Sequence, residues 1–164
     1  MMVTKDDQKS YFIRDGDIPC TPEVERTYSF VWNFCSEVTA ASFPPVCNTN
    51  QMGAALQYFY RESDKYEECN VIGHYDPNRD DTFFHLLDGK DPSKGVSLVY
   101  QYGDKCPSGK LRSTTIDVEC SNTKSLVVSA LEPDSCEYHM VMRSWYGCPQ
   151  VKVRSFIMYL LVIL

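Results

Sequence analysis

The chain has 164 residues, 43% of them hydrophobic and 23% charged, a balance that lets it bury one substantial core and form a single domain. Its formal charge of -6, with no basic run, excludes nucleic acid as a partner, because phosphate backbones are held by an excess of Lys and Arg. The eight cysteines contain no CxxC pair, which argues against a zinc ribbon or thioredoxin-like motif; disulfides are expected instead, and with them an oxidising compartment: the secretory or endosomal lumen, or the cell exterior.

Residues 1–19 are polar and contain no apolar h-region, so they do not read as a signal peptide; the expectation is a mature or incomplete segment whose first fifteen or so residues are poorly ordered. Eight strand-like runs follow, at Tyr28 to Cys35, Gly53 to Tyr60, Cys69 to Tyr75, Thr82 to Leu87, Val96 to Tyr102, Leu111 to Cys120, Ser125 to Leu131 and Glu137 to Trp145. They are rich in Val, Thr, Tyr and Phe, and clusters such as DPNRDD and DGKDPSKG separate them. Gln51 to Glu62 can also be argued helical. The fold class expected is all-β, a flattened barrel or sandwich of antiparallel strands stapled by disulfides. Residues 150–164 end in the apolar run SFIMYLLVIL after Lys152 and Arg154, about half of the 20 or so residues a membrane span needs. A final buried strand and the start of a truncated transmembrane helix both fit it, and a single C-terminal membrane anchor is the expectation.

Strand alternation sorts the faces of the later runs. Arg112, Thr114, Ile116, Val118 and Cys120 share one face, and Leu126, Val128, Ala130 and Glu132 share another. Cys136, Tyr138, Met140 and Met142 form a third set, and Tyr28, Phe30, Trp32 and Phe34 form an aromatic set most simply read as core. An arginine and a glutamate at the ends of apolar faces must be paired or must bind something, since a lone buried charge costs several kcal/mol. A structural Arg–Glu ion pair capped by a tyrosine hydroxyl and a polar pocket at a barrel mouth both meet that demand.

From Tyr28 to Pro149 the sequence resembles the mannose 6-phosphate receptor homology domain, a lectin family. The likeness is carried in order by YSFVWNFC, GAALQ with Gln57, NVIG at Asn70 to Gly73, GVSLVYQYGDKC, RSTTIDVEC with Arg112 and Cys120, and EPDSCEY with Glu132, Cys136 and Tyr138, closed by Cys148 and Pro149. It implies a lectin-like domain over 20–149, a flattened β-barrel, and a mannose site made by Gln57, Arg112, Glu132 and Tyr138. The partners implied are mannose-containing N-glycans of glycoproteins in sorting or quality control along the secretory, Golgi, endosomal or endoplasmic-reticulum route. It further implies bridges of Cys106 with Cys136, Cys120 with Cys148 and Cys20 with Cys35, which leaves Cys47 with Cys69. In the cation-dependent receptor of that family an Asp and a His before the cysteine equivalent to Cys106 hold a metal ion and the phosphate. Here Asp104 and Lys105 stand there without a histidine, as candidate phosphate or cation contacts, and unphosphorylated glycans are favoured slightly over mannose 6-phosphate.

No cofactor, metal site or enzyme activity is expected: His74, Asp76 and His85 are an unspecific set, and no nucleophile elbow is present. A second class remains open, an interaction domain of the same fold that serves a trafficking adaptor or a glycan-processing enzyme without binding sugar. The bridges of Cys106 and Cys120 each close a loop of about 30 residues, usually worth roughly 2 to 4 kcal/mol, and they frame Arg112 and Glu132. Reduction is therefore expected to abolish sugar binding, and binding retained in strong reductant, measured by calorimetry, would count against the pairing.

Overall fold

The computed structural model of the chain describes residues 10–14, 28–48, 50–62, 65–78 and 83–149. Nine strands form two sheets among them. The first pairs β1 (Tyr11–Arg14), β2 (Ser29–Trp32), β3 (Ala55–Arg61) and β4 (Tyr66–Gly73) in that order. The second holds β5 (Phe83–Leu86), β6 (Gly95–Tyr100), β7 (Ser113–Cys120), β8 (Leu126–Asp134) and β9 (Glu137–Ser144) in the order β5-β6-β7-β9-β8. The chain is thus all-β, and the stretch around Gln51 to Glu62 contributes β3 rather than a helix.

Period-two alternation explains the core. Phe30, Trp32, Ala55 and Ile72 of the first sheet meet Leu98, Tyr100, Ile116, Val118, Met140 and Met142 of the second, and all are buried. Burying each large side chain contributes about 1.5 to 3 kcal/mol. Among the contacts that tie the sheets directly, Thr114 Oγ1 donates to the Ile72 carbonyl at 2.8 Å, the Tyr100 hydroxyl donates to the Asn33 carbonyl at 2.8 Å, and His74 N donates to the Gln101 carbonyl at 2.9 Å. A second apolar cluster lies outside the first sheet, where Val31, Leu56 and Val71 pack against Val38 and Cys47.

Several expectations change. Tyr11–Arg14, placed in the poorly ordered polar segment, is an edge strand paired antiparallel with β2. Its apolar residues explain this, since the Tyr11 ring lies 6.0 Å from Trp32 and 5.3 Å from Phe34. The strands are not all antiparallel either: β7 and β9 run parallel, with Thr114 opposite Tyr138 and Ile116 opposite Met140. Parallel neighbours need a crossover, and β8 supplies it by passing to the sheet edge before β9 returns between it and β7. The face of β8 also slips. Register shifts between Val127 and Ser129 and between Leu131 and Asp134 turn Val127 onto the core and leave Leu126, Val128 and Glu132 exposed.

Disulfides join Cys47 with Cys69, Cys106 with Cys136 and Cys120 with Cys148, three of the pairs expected. The first tethers the segment that covers the outer cluster to β4. The others tie the β6–β7 loop to the β8–β9 turn and the end of β7 to the chain after β9. The fourth expected pair, Cys20 with Cys35, has one member outside the described residues, Cys20; Cys35 has no disulfide partner among the described residues and takes a left-handed backbone conformation at φ 53°. The apolar tail at 150–164 also lies outside them. Among the described residues no helix is long and apolar enough to cross a membrane.

Gly95 starts β6 at φ 130°, and a Cβ there would fall 2.2 Å from the Val118 carbonyl oxygen. Gly95→Ala is expected to cost about 3 kcal/mol by combining left-handed strain with that clash. Urea denaturation measures it, and a loss under about 0.5 kcal/mol, the ordinary range of a surface substitution, would show that the strand gives way without strain.

Candidate functional site

The three positions Gln57, Arg112 and Tyr138 are brought together from both sheets. Gln57 is the inward residue of β3 next beyond Ala55, opposite Phe30 on β2 and Asn70 on β4. Tyr138 is the first inward residue of β9, in register with Thr114, and Arg112 immediately precedes β7. The Tyr138 hydroxyl donates to Gln57 Oε1 at 3.1 Å and accepts from Arg112 Nη1. Gln57 is 3% exposed, Arg112 9% and Tyr138 2%, so the chain of bonds is shielded from bulk water. The Gln57 side-chain amide nitrogen donates to no protein group among the described residues.

The electrostatics of Arg112 set this cluster apart. Its side-chain partner is a neutral phenol, and its Nε is buried with no hydrogen-bond partner. Among the described residues no carboxylate forms an ion pair with it. A buried guanidinium left this way is costly, by about 1 to 3 kcal/mol for each unsatisfied polar group. The fold holds it there through its backbone: Gly103 N donates to the Arg112 carbonyl at 2.9 Å, and Arg112 N donates to the Asp104 carbonyl at 3.1 Å. Gly103 is needed at that spot, because a Cβ would lie 2.5 Å from the Val71 carbonyl oxygen and 2.9 Å from Arg112 Cβ.

Asp104, a candidate phosphate or cation contact, faces the backbone of β4 instead. Val71 N donates to its Oδ2 at 2.7 Å, and Asp104 N donates back to the Val71 carbonyl at 2.7 Å. Together Gly103 and Asp104 clip β4 of one sheet to Arg112 beside the other. Lys105 is exposed and bridges Leu111 through its backbone.

Glu132 is the displaced member of the four. The slipped register of β8 puts it on the surface, so the buried Arg–Glu pair does not form, and its Oε1 accepts from Cys136 N at 2.8 Å. That bond caps the β8–β9 turn, which Cys106 staples through Cys136. Glu132 still acts on the cluster. Burial pushes the Tyr138 phenol well above the usual tyrosine range; the Arg112 cation opposes this, and the charge of Glu132 adds to it. Burial likewise pushes Tyr100 up.

A groove of about 280 Å³ bordered by Val99, Gln101, Leu111 and Ser113 opens on the other side of the second sheet. Arg112 belongs to its wall, but those odd-numbered neighbours face away from the Gln57–Tyr138 cluster, so the groove is a separate feature. His74 sits at an isolated bridge to Gln101 and His85 on β5, apart from one another in the sheets, and among the described residues no three His, Cys, Asp or Glu side chains gather as a metal site. Glu68 and the side chain of Asn70 stand beside this cluster and were not among the candidates. Alternation places Glu68, Asn70 and Ile72 on the same inner face as Gln57, a signal that was available.

A family model for the glucosidase II beta subunit-like protein matches residues 63–159. Human glucosidase 2 subunit beta is 36% identical over 62 residues, which are 38% of this chain and 12% of that relative, so only a small part of the relative's length is matched. The MRH domain of Yos9, solved in complex with alpha3,alpha6-Man5, has a TM-score of 0.50 at 14% identity, with 86% of this chain and 77% of that chain covered. Domain 11 of chicken IGF2R has a TM-score of 0.51 at 14% identity, with 88% and 80% covered. At that identity the two structures speak to the fold.

The unfolded chain loses phenolic protons near pH 10, whereas folded Tyr100 and Tyr138 keep theirs, so the unfolded state binds fewer protons above about pH 10 and stability falls as pH rises. Urea midpoints between pH 8 and 11 are expected to show this decline, with a shallower slope in Tyr138→Phe. An unchanged slope in that variant would remove Tyr138 as a source.

Proposed function

The chain belongs to the family of glucosidase II beta subunit-like proteins, and from that premise we propose that it is a lectin domain that binds mannose of N-glycans through Gln57, Arg112, Glu132 and Tyr138, without catalysing a reaction. The single observation that supports this most is the buried Arg112, which has a neutral phenol as partner and an unsatisfied Nε beside an unspent Gln57 amide. Such a cluster is short of acceptors, and sugar hydroxyls supply them.

The donor and acceptor inventory fits neighbouring hydroxyls. Arg112 only donates, the Gln57 amide nitrogen donates, Glu132 when ionised only accepts, and Tyr138 can do both. Each pyranose hydroxyl donates and accepts, so an axial 2-hydroxyl and its equatorial neighbour can satisfy groups that a glucose-type ring leaves unpaired, at a cost of roughly 1 to 3 kcal/mol per buried group. Glu132 reaches the sugar from the rim, where the stapled turn holds it. Asp104 is occupied with β4, which favours unphosphorylated mannose over mannose 6-phosphate. Three disulfides among the described residues fit a role in the lumen of the secretory pathway, in glycoprotein quality control or sorting.

The experiment is a glycan array with the wild type and Arg112→Ala, repeated at several pH values with and without divalent cation. Mannose-specific signal that falls at least about thirtyfold in the variant is expected, since truncating a buried charge partner costs about 2 to 5 kcal/mol. A wild-type array blank under every condition would sink the proposal in favour of an interaction domain that binds no sugar.

A further inference from the structure

Level with Gln57 and one pleat beyond it, the inner face of the first sheet carries polar and aromatic groups outside the proposed mannose site. Asn70 is the register partner of Gln57 on the neighbouring strand. It donates one amide hydrogen to Glu68 Oε1 at 3.0 Å, and its carbonyl oxygen and second amide hydrogen have no protein partner among the described residues. Glu68 Oε2 accepts from the Tyr28 and Tyr66 hydroxyls, at 3.2 Å each. Phe59 lies between those rings, 5.8 Å from Tyr28 and 6.1 Å from Tyr66 by centroid. Tyr66 is 37% exposed, and Tyr28, Glu68 and Asn70 are partly so.

We propose that Asn70, held by Glu68 and flanked by Tyr28 and Tyr66, is a second hexose-binding position, which takes the sugar linked to the mannose bound at Gln57, Arg112 and Tyr138; it rests on that assignment of the first position. Gln57 and Asn70 are facing amides on paired strands, with Cα atoms about 4.5 to 5.5 Å apart. Glu68 stands one pleat beyond, roughly 6 to 7 Å along β4. Two unspent amide groups so spaced can grip hydroxyls of consecutive rings. A side-chain amide offers a donor and an acceptor together, which suits a pair of vicinal hydroxyls. Tyr28 and Tyr66 offer amphipathic surface to the C–H side of a pyranose. Three hydrogen bonds converging on one carboxylate fix these side chains before the ligand arrives, which lowers the entropy lost on binding.

The test compares methyl α-mannoside with a branched oligomannose by calorimetry, for wild type, Asn70→Ala, Glu68→Gln and Arg112→Ala. The expected result is that Asn70→Ala and Glu68→Gln weaken oligomannose about tenfold, the loss of about one hydrogen bond's worth of affinity, and leave the monosaccharide within about twofold. Retained monosaccharide binding shows that each variant is folded. Oligomannose affinity unchanged in both variants, or lost in parallel with the monosaccharide, overturns the second position while the first stands. A wild type that binds neither ligand overturns the first position and this one with it.

Discussion

A positive charge between two sheets is the constraint on which the arrangement depends. Arg112 could have been neutralised by a carboxylate; instead it meets the hydroxyl of Tyr138, which in turn meets Gln57. These three residues come from the edge of β7, from β9 and from β3, so the hydrogen-bond chain crosses from one sheet to the other. It exists only where both sheets are in place. The apolar layer beneath, from Trp32 to Met140, supplies the stability, and the polar layer above it leaves hydrogen-bonding capacity unused.

The surrounding devices hold that layer in position by backbone contacts. Gly103 and Asp104 grip Arg112 on both sides of its peptide and reach across to Val71. Cys106 fastens the same loop to Cys136, two residues before Tyr138, and Glu132 caps that turn. The Asp104 carboxylate is thus spent on the frame, while Arg112, Gln57 and Asn70 keep groups unspent. A frame with unpaired amide groups and an unpaired guanidinium Nε suits a ligand made of hydroxyls, each of which offers both a donor and an acceptor.

Much of this was legible beforehand. The eight strand-like runs correspond to β2 through β9, because alternation of apolar and polar residues is a local signal and the core obeys it. The inward placement of Arg112 with Thr114, Ile116 and Val118, and of Tyr138 with Met140 and Met142, followed from the same period. β1 was missed, since Tyr11 to Arg14 is short and set in a polar segment, and its stability comes from Trp32 and Phe34 elsewhere.

The sequence by itself determined the strand class of the chain, its apolar faces and the residue types able to read a sugar, because each of these is written in a two-residue period or in side-chain chemistry. Only the tertiary structure decided which of those residues meet. Register shifts in β8 are not counted by alternation, and they put Glu132 on the surface where an inward position was expected. Long-range pairing turned Asp104 toward Val71 rather than toward a ligand, and set Asn70 beside Gln57. Register between distant strands is fixed by the packing of the whole core, and that is why Gln57, Arg112 and Tyr138 could be named as candidates from the sequence but are brought together only in the fold.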